Sequence, residues 1–231
     1  MSITRLSRPF RGILFGGLAT AALAMPALAG TSDQSVTFKV VIANVSKDDT
    51  LQVPGGVPTR APIAPGVFVV STDANPIFMS GKPAGKDGLE ALAEDGNSDA
   101  LLQALQATYG DKAELFAPGL EFEVKAKPSD RLSFATMFVQ SNDKFYSPAD
   151  GSVALFDAAG KPVSGDLTSL IRLYDAGTEK DELPGAGSNQ APRQKSMNEG
   201  PDEGGSVRPA DDGFTYPAVN SVIKLTIAPA S

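Results

Sequence analysis

The residue types that could do chemistry in this chain are nearly all carboxylates. It has no histidine and no cysteine, which removes Ser/His/Asp triads, thiolate nucleophiles, zinc fingers, iron–sulfur clusters and nearly all transition-metal chemistry. What remains is cation binding by oxygen ligands, acid–base work by paired carboxylates, or binding without chemistry. Asp95-Gly96-Asn97-Ser98-Asp99 opens like an EF-hand loop, whose alternate oxygens face one ion. The match then fails, because Ala100 stands where the tight turn needs glycine and Gln106 where a bidentate glutamate belongs. A turn that caps the following helix is the better reading. The second constellation is Asp175, Glu179, Asp181 and Glu182 in YDAGTEKDE, together with Asp143 in SNDKF. Both stretches follow strand-like runs, so their carboxylates converge from neighbouring strand ends into the oxygen cage that calcium prefers, completed by carbonyls and water. Gly177 lets the loop curl so that Asp175 and Glu179 face one point. By spacing alone, an ordinary solvated acidic loop fits the same residues.

The elements that must position these groups show mostly a period of two. Val36, Phe38, Val40 and Ile42 share one face of a run, and Leu120, Phe122 and Val124 share one face of another. Both read as half-buried strands. Runs 132–139, 152–157, 171–174 and 222–227 add four more, and 68–71 is a weaker candidate. Between them, 87–93 and 98–108 space leucines three and four apart, with Ser98 or Asp99 placed to cap the second, which predicts two short helices. Strands joined by Pro/Gly/Asn turns without regular crossover helices predict an all-β fold, an antiparallel β-sandwich with a short helical insertion. The segment 179–213 holds four prolines, six glycines and few aliphatic anchors. A connection of that length is functional or disordered, and its sparse anchors predict protease sensitivity. A strand follows it, so it returns to the same domain.

Residues 1–29 read as a secretory signal peptide: Arg5, Arg8 and Arg11 precede an apolar run from Ile13 to Met25, which ends in the small-x-small pattern Ala27-Leu28-Ala29. The apolar run is too short to span a bilayer. Cleavage after Ala29 would leave one domain, 30–231, in the periplasm or outside the cell. It would also remove three arginines and no acidic residue, taking the formal net charge from −7 to −10. Such a surface repels phosphates, so nucleic acid is not an expected partner, whereas a divalent cation is tolerated. Asn44-Val45-Ser46 matches a glycosylation sequon at a strand end.

Taken in order, APGVFVVS (64–71), GLEALAEDG (88–96), LSFATMFVQSNDKF (132–145), LYDAGTE (173–179) and NEGPDEGGSVR (198–208) resemble the spondin-type domain of F-spondin, mindin and single-domain secreted bacterial proteins. The resemblance covers almost all of 30–231. It implies an antiparallel β-sandwich similar to a C2 domain, a Ca2+ ion held by loops at one end, and adhesion or binding to an unidentified protein or cell-surface ligand. On this chain the implied ligands fall on Asp143, Asp175 and Glu179, the last being aspartate in animal members. The animal cysteines and thrombospondin repeats are absent. The alternative is a carboxylate-dependent hydrolase using Glu94 with Asp95, or Asp143 with Asp175, as acid and base. A chain with no tryptophan, four tyrosines to stack a sugar ring and no nucleophile motif favours the non-catalytic binding module.

Overall fold

The computed structural model describes residues 1–2 and 34–230, so the expected signal peptide and its cleavage site lie outside the described residues. The fold belongs to one compact unit, Ser32–Ser231. Its strands are β1 (Val36–Asn44), β2 (Gly66–Ser71), β3 (Ala113–Phe116), β4 (Glu121–Ala126), β5 (Arg131–Met137), β6 (Lys144–Pro148), β7 (Val153–Ala154), β8 (Gly165–Asp166), β9 (Ile171–Asp175), β10 (Arg208–Pro209) and β11 (Ile223–Pro229). The helices are α1 (Leu89–Asp95), α2 (Asp99–Tyr109) and the single turn α3 (Val219–Val222). One sheet runs β4-β1-β11-β8; the other runs β10-β9-β6-β5-β2-β3, with β7 on β5. Every strand pair is antiparallel.

The all-β sandwich with a short helical insertion is the architecture observed. Phe38, Val40 and Ile42 of β1 and Leu225 and Ile227 of β11 point into a core shared with Phe68, Val70, Leu132, Phe134, Tyr146 and Leu173 of the larger sheet. The larger sheet buries its opposite face as well. Val67, Val69, Ala135, Phe145 and Tyr174 pack there against Leu89 and Leu92 of α1 and Leu101 and Leu105 of α2. The larger sheet is therefore the middle of three layers, with the helical insertion covering one side. Leu92 is fully buried, and truncating it to alanine should cost about 2–5 kcal/mol.

The middle position explains where sequence periodicity misleads. A strand covered on both faces has no polar side, so β2 is buried throughout, as is β6. The weakest sequence candidate, 68–71, is thus a central strand, while β6 and the short edge strand β3 carry no alternation to read. Residues 152–157 contribute only Val153–Ala154 to a sheet. The chain then turns back on itself, with Phe156 bridged to Pro162 and Asp157 Oδ1 accepting from the amides of Ala159 and Lys161, each at 2.9 Å. Among the described residues no helix is long and apolar enough to cross a membrane.

Candidate functional site

Strand register builds a row of charges at one end of the larger sheet. Lys144 of β6 is paired with Asp175 of β9, and Asp175 is paired in turn with Arg208 of β10. The anion in the middle binds both cations: Asp175 Oδ2 lies 3.0 Å from Lys144 Nζ and 2.7 Å from Arg208 Nη2. Lys144 and Asp175 are fully buried, whereas the Arg208 side chain is 35% exposed.

Three further carboxylates close around Lys144. Nζ lies 3.3 Å from Asp143 Oδ1 and 3.3 Å from Asp212 Oδ2, and it donates to Asp181 Oδ1. Burial opposes the ammonium charge, but Asp143, Asp175 and Asp181 outweigh it and hold the Lys144 pKa above the ordinary lysine value. Burial likewise pushes Asp181 up to about 7, and it raises Asp175, with the neighbouring Asp143 charge adding to the effect. Asp212 moves the other way. Burial would raise it, but the Tyr216 hydroxyl at 2.5 Å, the Phe214 amide and Lys144 hold it below the usual range.

The turns carrying these carboxylates are fixed by local chemistry. Ser141 Oγ donates to the Phe138 carbonyl at 2.6 Å and accepts from the Lys144 amide at 3.1 Å, closing the SND turn. Asp143 Oδ2 accepts from the amides of Thr178 and Glu179 at 2.8 and 3.2 Å, so the β5–β6 turn ties down the loop after β9. Asp175 Oδ1 accepts from the Gly177 amide at 2.6 Å. Gly177 has φ 69, and a Cβ there would meet the Ser206 amide nitrogen at 2.5 Å. Only glycine permits that curl.

Of the residues expected to hold calcium, Asp143 and Asp175 come together, while the Glu179 carboxylate faces elsewhere. Among the described residues two acidic groups have oxygens close enough to share an ion: Asp143, Asp175 and Glu203, and Asp175, Asp181 and Asp212, the oxygens within each lying within 4.8 Å of one another. These acidic groups, each built on the buried Asp175, could hold a metal ion. Each already contains a cation of the chain. Arg208 Nη2 lies 2.7 Å from Asp175 Oδ2 and 2.8 Å from Glu203 Oε1, and Lys144 contacts all three carboxylates of the other group.

Glu179 instead sits under the long loop. Its residue bridges Asp202, and a Cβ on Gly200 (φ 151) would lie 1.5 Å from Glu179 Oε1. That oxygen has no hydrogen-bond partner among the described residues. Burial pushes the Glu179 carboxyl up to about 8, against the Asn142 amide, and the charges of Glu94, Asp143 and Glu182 add to the rise. Glu94 of α1 is buried beside it and pushed up to about 7, again chiefly by burial.

The segment 179–213 is well anchored. Glu182 accepts from the Asn189 amide at 2.8 Å and from Asn142 Nδ2 at 3.2 Å, while its own amide donates to Asn142 Oδ1 at 2.9 Å. Gln190 is fully buried and donates to the Leu183 carbonyl at 2.9 Å. Asp95, first in the EF-hand-like stretch, uses Oδ1 to accept from Gln194 Nε2 at 2.7 Å and from the Asn198 amide at 3.2 Å. Asn97 Oδ1 accepts from the Asp99 amide at 3.1 Å, and Ser98, at the N-cap of α2, turns its hydroxyl to the Pro65 carbonyl at 3.2 Å. This stretch is a helix-entry turn and a loop anchor, although Ser98 does not cap with its side chain. In the sequon, Asn44 Nδ2 is already donated to the carbonyls of Ala61 and Val222 at 2.7 and 3.1 Å.

Sequence reasoning did not single out Lys144, Glu203, Arg208 or Asp212. Lys144 directly follows Asp143 in SNDKF, and a lysine next to that aspartate and ahead of the aromatic pair Phe145-Tyr146 was the available signal. Compared with known proteins, the chain matches no family model and no curated protein.

Proposed function

We propose that the chain is an extracytoplasmic, non-catalytic binding or adhesion module similar to the spondin-type domain, whose loops at one end are set by carboxylates around cations. The observation that carries this reading is convergence. Asp143 from the β5–β6 turn, Asp175 from the end of β9 and Glu203 from the long loop bring oxygens within 4.8 Å of one another. Loops held on a rigid sandwich in this way can present a fixed surface to a protein or cell-surface ligand.

The donor set is all oxygen and anionic, which suits Ca2+ rather than a transition metal. Five carboxylates, Asp143, Asp175, Asp181, Asp212 and Glu203, surround Lys144 and Arg208 and leave three formal negative charges. A calcium ion would offset that surplus. Asp143, Asp175 and Glu203 would hold it, on the side where Arg208 is partly exposed. Glu179, the third ligand expected from the resemblance, would contribute through its amide, which positions Asp143.

Engagement of the alternative acid–base pairs supports the non-catalytic reading. Asp143 and Asp175 are bound to Lys144 and to loop amides, and Asp95 anchors the long loop. Calorimetric titration of chelator-stripped protein tests the proposal, with Ca2+ binding and a higher melting temperature expected. No binding at millimolar Ca2+ would overturn the calcium reading. Carboxylate-dependent turnover on a glycoside or ester panel would overturn the non-catalytic one.

A further inference from the structure

Lys144 stands where a cation is wanted. Its ammonium is fully buried, and four carboxylates from separate segments contact it: Asp143 in the β5–β6 turn, Asp175 at the end of β9, and Asp181 and Asp212 in the connection to β11. One carboxylate suffices to pair a lysine. A shell of four is the composition of a metal site, and Asp175, Asp181 and Asp212 have the mutual spacing of one. The charges match poorly for a monovalent occupant, since Lys144 and the Arg208 guanidinium, which pairs with Asp175, together face four carboxylates.

We infer that the Lys144 ammonium is the built-in occupant of this inner cation site, and that the same shell, freed of the ammonium, takes up a divalent cation of the calcium type. Calcium–oxygen distances of about 2.3–2.6 Å are roughly 0.4–1.0 Å shorter than the 3.0–3.3 Å separations from Asp143, Asp175 and Asp212 to Nζ. Asp181 and Asp212 lie in the connection between β9 and β11, outside the strands, and closing on an ion asks the shell to contract by that amount. Tethering makes the cation intramolecular, so the native chain keeps this end ordered at any calcium concentration. The site differs from the Asp143, Asp175 and Glu203 group proposed above, and only Asp143 and Asp175 are shared.

The experiment compares the native mature chain with Lys144→Gln, both stripped with chelator. In chelator the variant should melt about 10 °C lower, because a buried cluster of carboxylates has lost its counter-charge. Millimolar Ca2+ should recover most of that loss. Tb3+ excited through tyrosine should report one more bound ion in the variant than in the native chain, since Tyr216 donates to Asp212 in the shell, and Asp181→Asn added to the variant should abolish the extra ion. Equal metal uptake by the two chains, or a melting temperature that metal does not restore, overturns the inference. Failure of the native chain alone to bind Ca2+ overturns only the proposal of the preceding subsection.

If Lys144→Gln folds in neither condition, Lys144→Cys decides, because the chain has no other cysteine. Aminoethylation of that cysteine in denaturant recreates a lysine-like ammonium. Refolding on aminoethylation, and equally on addition of Ca2+ to the unmodified variant, supports interchangeable occupants. Refolding on aminoethylation alone overturns the metal half of the inference, and refolding on neither overturns it entirely.

Discussion

Asp175 faces Lys144 across the β6–β9 pairing, with Oδ2 3.0 Å from Nζ and both side chains fully buried. A buried ion pair contributes little net stability when compared with an apolar pair, but breaking it by removing one partner is costly. Asp175 also bonds Arg208 and the Gly177 amide, so the consequences of its loss spread over three elements.

Replacing Asp175 with alanine should therefore destabilise the fold by about 3–5 kcal/mol. Arg208→Ala should cost clearly less, because its guanidinium is partly exposed and its pairs are screened. Urea unfolding of the two variants checks this, and equal losses would show that the buried row does not act through Asp175.

Chelator should lower the melting temperature of the protein and Ca2+ should raise it, by mass action on an ion bound only to the folded state. Asp143→Asn and Asp175→Asn each remove an anionic ligand at nearly constant size, and most of the calcium-dependent shift should disappear. Asp95→Asn should keep it, since Asp95 holds Gln194 and Asn198 and belongs to neither acidic group. Differential scanning fluorimetry with and without chelator decides, and loss of the shift only in Asp95→Asn would refute the assignment.

The sandwich was legible because β1, β4 and β11 each have one wet face, and the alternation of Phe38 and Val40 with Thr37 and Lys39, or of Ile223, Leu225 and Ile227 with Lys224 and Thr226, records it. The middle sheet was less so. Covering by α1 and α2 buries both faces of β2 and β6, so neither strand shows a wet side that alternation would record. The site divides in the same way. Asp143 and Asp175 were readable as carboxylates at strand ends, but Lys144 and Arg208 join them through register across β6, β9 and β10. Register is a long-range property that spacing along one segment does not carry. Glu179 sits differently from Asp143 and Asp175: its amide donates to Asp143, while its carboxyl lies beneath Gly200.

The long segment 179–213 is tied to α1 by hydrogen bonds to Asp95 Oδ1, beside the packing of Val207 in the cluster that holds Leu89 and Leu92. In the native protein its turns should resist protease, contrary to what its composition alone predicts. Asp95→Ala removes the acceptor for both Gln194 and Asn198, so limited proteolysis should then cut near residues 194–200 many times faster while the sandwich stays intact. Mass spectrometry of early fragments locates the cut, and unchanged cleavage would show that other contacts hold the loop.

The pH dependence of stability should carry the mark of Glu94 and Glu179. Both are raised from an ordinary 4.5, to about 7 and about 8 respectively, chiefly because burial disfavours their charged forms. The folded state then holds protons that the unfolded state has released, so their contribution is full below about 4.5 and is lost as pH rises through 7 and 8. Asp181, raised to about 7, adds in the same direction. Lys144, raised above the ordinary 10.5, keeps its contribution throughout this window and loses it only at higher pH. Measured in chelator, to keep metal out of the balance, the melting temperature should fall from pH 5.5 to about pH 8 and level off towards pH 9. Glu179→Gln, which keeps the shape and remains neutral, should flatten that fall and leave the variant more stable than the native chain at pH 9. A melting temperature that stays level or climbs over this range, or a variant that keeps the full native slope, would show that the Glu179 carboxyl is ionised in the folded protein.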